Sequence, residues 1–385
     1  MYKRTLYFEL LEQAKKYPVV TLIGPRQSGK TTLVRYAFPN KPYINLEALD
    51  LQEIARLDPR SFLEKYPEGA ILDEIQRVPS LLSYIQIIVD SSLQMGMFIL
   101  TGSHQLELHQ AIVQSLAGRT ALLTLLPLSL AECREADLYS SLNESLLKGG
   151  YPRIYKDNLD PTKAYKNYFQ TYVERDVRQL VNVHDLLQFQ QFMRICASRV
   201  GRIITVEGIA NDAGISSKTV KSWLSILEAS FIIFRLQPYF ENFGKRIIKS
   251  PKLYFTDVGF VSFLLGIETS SQMSRDPLRG SLVENLIVLE MMKTRMNIGL
   301  DSNLYYFRDA HGHEIDVIFK AGTELIPIEI KCAKTFNKDF LKNIIFFQKL
   351  VGTRFSKGFV LYNGDTEQKI GQVHVLNFAH LQEIM

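Results

Sequence analysis

Residues 24–32 read Gly-Pro-Arg-Gln-Ser-Gly-Lys-Thr-Thr and follow the apolar run Val19 to Ile23. Glycines at such a turn let backbone N–H groups curl around an anion, and a helix starting just after them aims its positive pole at the same point. This spacing is that of a phosphate-binding loop: Lys30 reaches the β- and γ-phosphates of a nucleoside triphosphate and Thr31 holds Mg²⁺. Gly24, Pro25, Arg26, Gln27, Ser28, Gly29, Lys30, Thr31 and Thr32 are all candidate nucleotide contacts.

A second element of phosphate chemistry lies at Ala70-Ile71-Leu72-Asp73-Glu74, where a short apolar strand runs into two acids. Asp73, at the carboxyl end of that strand, is placed to hold Mg²⁺ through water. Glu74 is placed to polarise the attacking water. A third strand, Met97 to Leu100, breaks into Thr101-Gly102-Ser103-His104. Ser103 is the candidate sensor of the γ-phosphate, with Thr101 or His104 in reserve and a plain turn as the alternative. Arg119, behind Gly118 and before another apolar strand, is a candidate arginine finger, a delocalised charge set against transition-state oxygens.

The last hundred residues carry a different constellation. Tyr305 to Arg308, Glu314 to Phe319 and Leu325 to Lys331 read as three strands, the first two joined by a turn at Asp309 to His313. Strand alternation puts Glu329 and Lys331 on one face, with Asp316 on the adjacent strand. Two carboxylates and a lysine converging at a sheet edge suit Mg²⁺ and a hydroxide aimed at a phosphodiester. His311 and His313 are turn residues and are left out of the site.

The phosphate loop together with Ile-Leu-Asp-Glu-Ile-Gln, Leu-Thr-Gly-Ser, Ser-Leu-Ala-Gly-Arg and Pro-Leu-Ser-Leu-Ala-Glu resembles prokaryotic AAA-type ATPases of one family, whose ATPase module is joined to a conserved carboxyl-terminal domain of unassigned function. The resemblance extends through Gly149 to Pro152, Tyr172 to Val177, Pro251 to Asp257 and Gly280 to Asn285. It departs at the sensor, where Ser103-His104 stands in place of the asparagine of many related ATPases. The Asp316, Glu329 and Lys331 pattern resembles the core of the restriction-endonuclease-like fold, and by that resemblance Glu284 is its helical acid and a further metal ligand.

These side chains require an α/β architecture. The expectation is an AAA-like P-loop core over residues 1–130, a helical lid over 131–200, a winged helix over 201–265 and a nuclease-like α/β domain over 266–385. In the lid, Tyr165, Tyr168, Phe169, Tyr172, Val173, Val177, Leu180 and Val181 recur at helical spacing as one buried stripe. In the winged helix, Gly214 makes the turn and Ser216 or Ser217 caps the helix carrying Lys218 and Lys221. The run Lys245 to Lys252 has four positive charges and no acid, a track for phosphates.

A chain of 385 residues with 46% hydrophobic and 22% charged residues has ample core for several domains. A net charge of +5 permits nucleic-acid contact without arguing for it. No apolar stretch approaches the ~20 residues of a membrane span. No signal-peptide core is visible, and Cys133, Cys196 and Cys332 stand apart as in a reducing compartment. A cytoplasmic homo-oligomer using ATP and Mg²⁺ is expected. It acts either on DNA, with a working nuclease site, or as a nucleotide-controlled interaction protein whose nuclease-like fold is a scaffold.

Overall fold

The computed structural model describes residues 2–92, 94–103, 112, 114–173, 186–240 and 248–384. The strand β1 (Val19–Ile23) is buried at all five positions, because both its faces are covered. With β2 (Tyr43–Asn45), β3 (Ile71–Asp73), β4 (Phe98–Gly102) and β5 (Thr120–Thr124) it forms a parallel sheet in the order β2-β3-β4-β1-β5. Val20 and Leu22 pack with Leu6, Leu10, Leu33 and Val34 on one face. Val19 and Ile23 pack with Leu82, Ile85 and Val89 on the other. In a parallel sheet every strand ends at the same edge, so the segments after β1, β3 and β4 meet there.

Helices follow from Leu130–Glu135 to Pro161–Tyr168, the first opened by a capping box between Ser129 and Glu132. Of the expected stripe, Tyr165, Tyr168, Phe169 and Val173 are buried and Tyr172 packs against them. Val177, Leu180 and Val181 lie outside the described residues, as do the neighbouring Glu174, Arg175, Asp176 and Arg178. The helix Val206–Ala213 ends in left-handed Gly214, and Ser216 caps the helix Ser217–Ala229 by accepting from the Thr219 N–H. A two-stranded antiparallel unit follows, β6 (Ile233–Leu236) with β7 (Lys252–Phe255).

The carboxyl-terminal sheet has six strands, β8 (Leu304–Arg308), β9 (Glu314–Ala321), β10 (Glu324–Lys331), β11 (Gly358–Tyr362), β12 (Gln368–Ile370) and β13 (Val373–Asn377), in the order β12-β13-β11-β10-β9-β8. β8, β9 and β10 are antiparallel neighbours, whereas β10 and β11 run parallel, with the helix Lys342–Val351 between them in sequence. The long helix Arg279–Met296 is buried along most of its length, which explains why it lacks a polar face. Among the described residues no helix is long and apolar enough to cross a membrane.

Candidate functional site

The phosphate loop leaves β1 at Gly24 and ends at Gly29, the left-handed residue before the helix Lys30–Ala37. At Gly24 (φ 151°) a Cβ would come within 2.2 Å of the Leu125 carbonyl oxygen, so only glycine lets the loop pass the end of β5. Lys30 is buried beneath the loop and donates to the carbonyls of Gly24 (2.9 Å) and Pro25 (2.8 Å). Burial pulls its pKa down to about 8, against the charges of Glu74 and Asp73. Ser28 Oγ is buried without a hydrogen-bond partner. A cleft of about 730 Å³ opens over the loop, lined among others by Arg26, Lys30, Thr31 and Glu74.

Sequence reasoning missed the residue that holds this loop in place. Arg4, only 5% exposed, donates to the Ser28 carbonyl (2.7 Å) and the Leu126 carbonyl (2.6 Å), with Nε 3.2 Å from Glu132 Oε1. Its partners lie far off in sequence, and no local pattern announces them.

Asp73 ends β3 beside the loop. Its carboxylate accepts from Thr31 Oγ1 (2.9 Å), from the Tyr43 hydroxyl (2.7 Å) and from Thr101 Oγ1. Thr31 Oγ1 and the Asp73 carboxylate stand side by side as hard oxygen donors, a hydroxyl to ligate Mg²⁺ directly and a carboxylate to hold its water. The donor set therefore fits that ion. Glu74 sits at φ 57°, a left-handed conformation uncommon for a residue with a side chain. Its carboxylate accepts from Ser103 Oγ (2.9 Å) and from the Gln76 amide. Burial pushes the Glu74 pKa up, but Lys30, Arg26 and these hydrogen bonds outweigh it and hold the acid below its ordinary value. Ser103 thus touches the acid directly and Thr101 braces Asp73, while His104 lies outside the described residues.

Arg119 stands elsewhere. Its carbonyl accepts from Val19 N–H at the amino end of β1, the edge of the sheet opposite the phosphate loop. Its guanidinium pairs with Asp90, Nη2 to Oδ2 at 2.9 Å. It is out of reach of the phosphate loop of its own chain.

The carboxyl-terminal residues do converge. The β9–β10 ladder runs to Ile328 opposite Val317, so Asp316 and Glu329 follow one step further on facing strands. Lys331 Nζ is 3.2 Å from Asp316 Oδ2 and also pairs with Glu329. Glu284, from the long helix, reaches the same cluster through a group absent from the expected site. Lys252 Nζ, on β7, lies 3.0 Å from Glu284 Oε1, 2.6 Å from Glu314 Oε1 and 3.9 Å from Asp316 Oδ1. Lys252 therefore leaves the basic phosphate track expected over residues 245–252: it is 2% exposed and faces acids. The available signal was the apolar run Leu253-Tyr254-Phe255 after it, which marks a buried strand.

Burial raises the pKa of Glu329 to about 8, with Asp316 adding to it, and burial also raises that of Glu284. Asp316 goes the other way: burial pushes it up, but Lys331 and Lys252 outweigh that and hold it low. Glu329 Oε1 is buried without a partner, which a cation would satisfy. Against that, the space between the acids holds two ammonium groups, and among the described residues no group of three or more His, Cys, Asp or Glu side chains is arranged to hold a metal. As it stands, the cluster does not fit a divalent ion. His313 stacks on Phe346 (3.8 Å between ring centres) and pairs with Asp309, consistent with a turn residue outside the site.

Sequence profiles place this geometry in a family. That of an AAA domain matches residues 16–134, and two domains of unknown function (DUF8612 and DUF4143) match 139–271 and 279–381. The uncharacterized protein Rv2008c of Mycobacterium tuberculosis is 30% identical over 322 residues, covering 83% of this chain and 71% of the relative. The uncharacterized protein MJ1637 of Methanocaldococcus jannaschii is 23% identical over 408 residues, covering 89% and 82%. Among solved structures, the Walker-type ATPase PABY2304 of Pyrococcus abyssi is similar at 18% identity and a TM-score of 0.48, over 69% of this chain and 96% of that one. With an ATPase-type P-loop built at its amino-terminal sheet and a separate mixed sheet behind it, the chain belongs to the prokaryotic AAA-type ATPases that carry a carboxyl-terminal domain of unknown function.

Proposed function

We propose that the protein binds ATP with Mg²⁺ and hydrolyses it, using the nucleotide state to control a carboxyl-terminal module that serves as a binding scaffold. The observation that carries this reading is the meeting of Lys30, Thr31, Asp73, Glu74 and Ser103 at one edge of the parallel sheet. Lys30 exchanges the carbonyls of Gly24 and Pro25 for phosphate oxygens. Glu74, held by Ser103 and kept ionised, orients the attacking water. Mg²⁺, held by Thr31 and Asp73, would supply the charge that neutralises the phosphates.

A buried polar chain supports coupling to the rear of the molecule. Arg4 ties the loop to Glu132. Past Glu132, Glu290 accepts from the Leu130 N–H at 2.6 Å and Lys293 donates to the Leu128 carbonyl at 2.8 Å, both from the helix Arg279–Met296. The helix Ser217–Ala229 exposes Lys218 and Lys221, which supports DNA as the scaffold's ligand. Lys252, an ammonium beside Asp316 in addition to the motif's own Lys331, crowds the acids that would hold a nuclease's metal, which argues against strand cleavage by this module.

The test is direct. Lys30→Ala loses tight ATP binding, whereas Glu74→Gln binds ATP and turns it over slowly; equal affinity of Lys30→Ala and the parent sinks the assignment. If Arg119 acts on a neighbouring subunit, mixing Arg119→Ala with Lys30→Ala restores some turnover, since each supplies what the other lacks. Duplex DNA raises turnover if DNA is the ligand, and plasmid stays intact with Mg²⁺ if the module is a scaffold.

A further inference from the structure

Lys252 is a charged residue in a strand buried at all four positions. Alternation puts Lys252 and Tyr254 on one face of β7, and both reach Glu284: the Tyr254 hydroxyl donates to Glu284 Oε1 at 2.5 Å and Lys252 approaches the same oxygen at 3.0 Å. The ammonium also contacts Glu314 at 2.6 Å and faces the ring of Tyr306 at 5.6 Å. β7 is no part of the six-stranded sheet; among the described residues it pairs with β6 and, at Lys252, bridges Ile203. One structural unit therefore hands a cation to acids that belong to another.

An ammonium has three donors and gathers carboxylate oxygens at about 2.7–2.9 Å. A divalent ion gathers the same oxygens at roughly 2.0–2.6 Å. Two cations at one focus repel across a site with little water, so Lys252 and a metal exclude each other. We propose that Lys252 is a built-in cation held by Glu284 and Glu314 beside Asp316, joining β7 to the carboxyl-terminal sheet and keeping a divalent ion out of this cluster. This deepens the scaffold reading of that module and rests on it.

The experiment measures Mn²⁺ binding to the nucleotide-free full chain by electron paramagnetic resonance, with Asp316→Asn as the reference for binding at this cluster. The parent binds no Mn²⁺ that depends on Asp316. Lys252→Met gains one such Mn²⁺ per chain, which disappears when Asp316→Asn is added. Lys252→Arg, which keeps a cation and so keeps the fold even if Lys252→Met does not, excludes Mn²⁺ as the parent does. Asp316-dependent Mn²⁺ on the parent or on Lys252→Arg overturns the inference, as does a folded Lys252→Met that gains none. Plasmid nicking by the parent with Mn²⁺, lost in Asp316→Asn, sinks the scaffold reading itself. Asp316-dependent Mn²⁺ without nicking sinks the inference and leaves the scaffold standing.

Discussion

The two acidic clusters of this molecule are built from the same residue types and differ in the groups that bond their carboxylates directly. In front, Asp73 and Glu74 are held by neutral hydroxyls from Thr31, Tyr43, Thr101 and Ser103. Behind, Asp316, Glu329, Glu284 and Glu314 are held chiefly by the ammonium groups of Lys252 and Lys331, with one hydroxyl, that of Tyr254, on Glu284. A hydroxyl orients a carboxylate without cancelling its charge, and can itself become a metal ligand. An ammonium cancels the charge and fills the space. The difference separates acids prepared for an incoming cation from acids already supplied with one.

The largest expected effect is on stability at the rear. Lys252→Met leaves buried acids without their counter-charge and costs about 3–5 kcal/mol, read by denaturant unfolding. Thr101→Val, which takes one hydroxyl from Asp73, costs about 1.5–3 kcal/mol on the same assay. If the front substitution costs as much as the rear one, the contrast fails.

A smaller effect follows from Glu329. Its folded pKa of about 8 lies above the ordinary 4.5, so the folded state binds the extra proton between these values. Stability from this group is full below pH 4.5 and lost as pH rises through 8. Glu329→Gln imitates the protonated acid and flattens that decline; an unchanged pH profile of unfolding refutes the assignment. The smallest effect concerns Lys30. Phosphates restore its charge, so ATP binding at pH 8 takes up about half a proton, the empty-state pKa being about 8. Calorimetry of the parent in buffers of different ionisation enthalpy measures it, and no proton uptake at pH 8 refutes the assignment.

What could be read in advance divides along the same line. The phosphate loop, Asp73 and Glu74 lie in short contiguous stretches whose chemistry is local, and β9 and β10 announce themselves by alternation. Tyr43 is out of reach of such reading because its partner is 30 residues away, and Arg4 because Leu126 is 122 away. Lys252 departs from its expected role for a specific reason. A run of positive charge normally marks a solvated face, and here its last member begins a strand buried at every position. The buried strand, not the charge run, decides where the lysine goes. Arg119 draws attention by its setting behind a glycine, but its bond to Asp90 on the far edge of the sheet depends on a fold the motif does not contain.

The helix Arg279–Met296 holds Glu284 in the rear cluster and Glu290 and Lys293 against the turn after β5. From Glu284 to Lys293 it spans roughly 14 Å at 1.5 Å per residue. One buried helix therefore carries contacts to both the rear cluster and the turn after β5. Cutting the chain behind the parallel sheet would leave the Leu130 N–H and the Leu128 carbonyl with no partners from this helix. The parallel-sheet half is therefore completed by groups from the other half, and its stability in isolation is a poor guide to its stability in the whole chain.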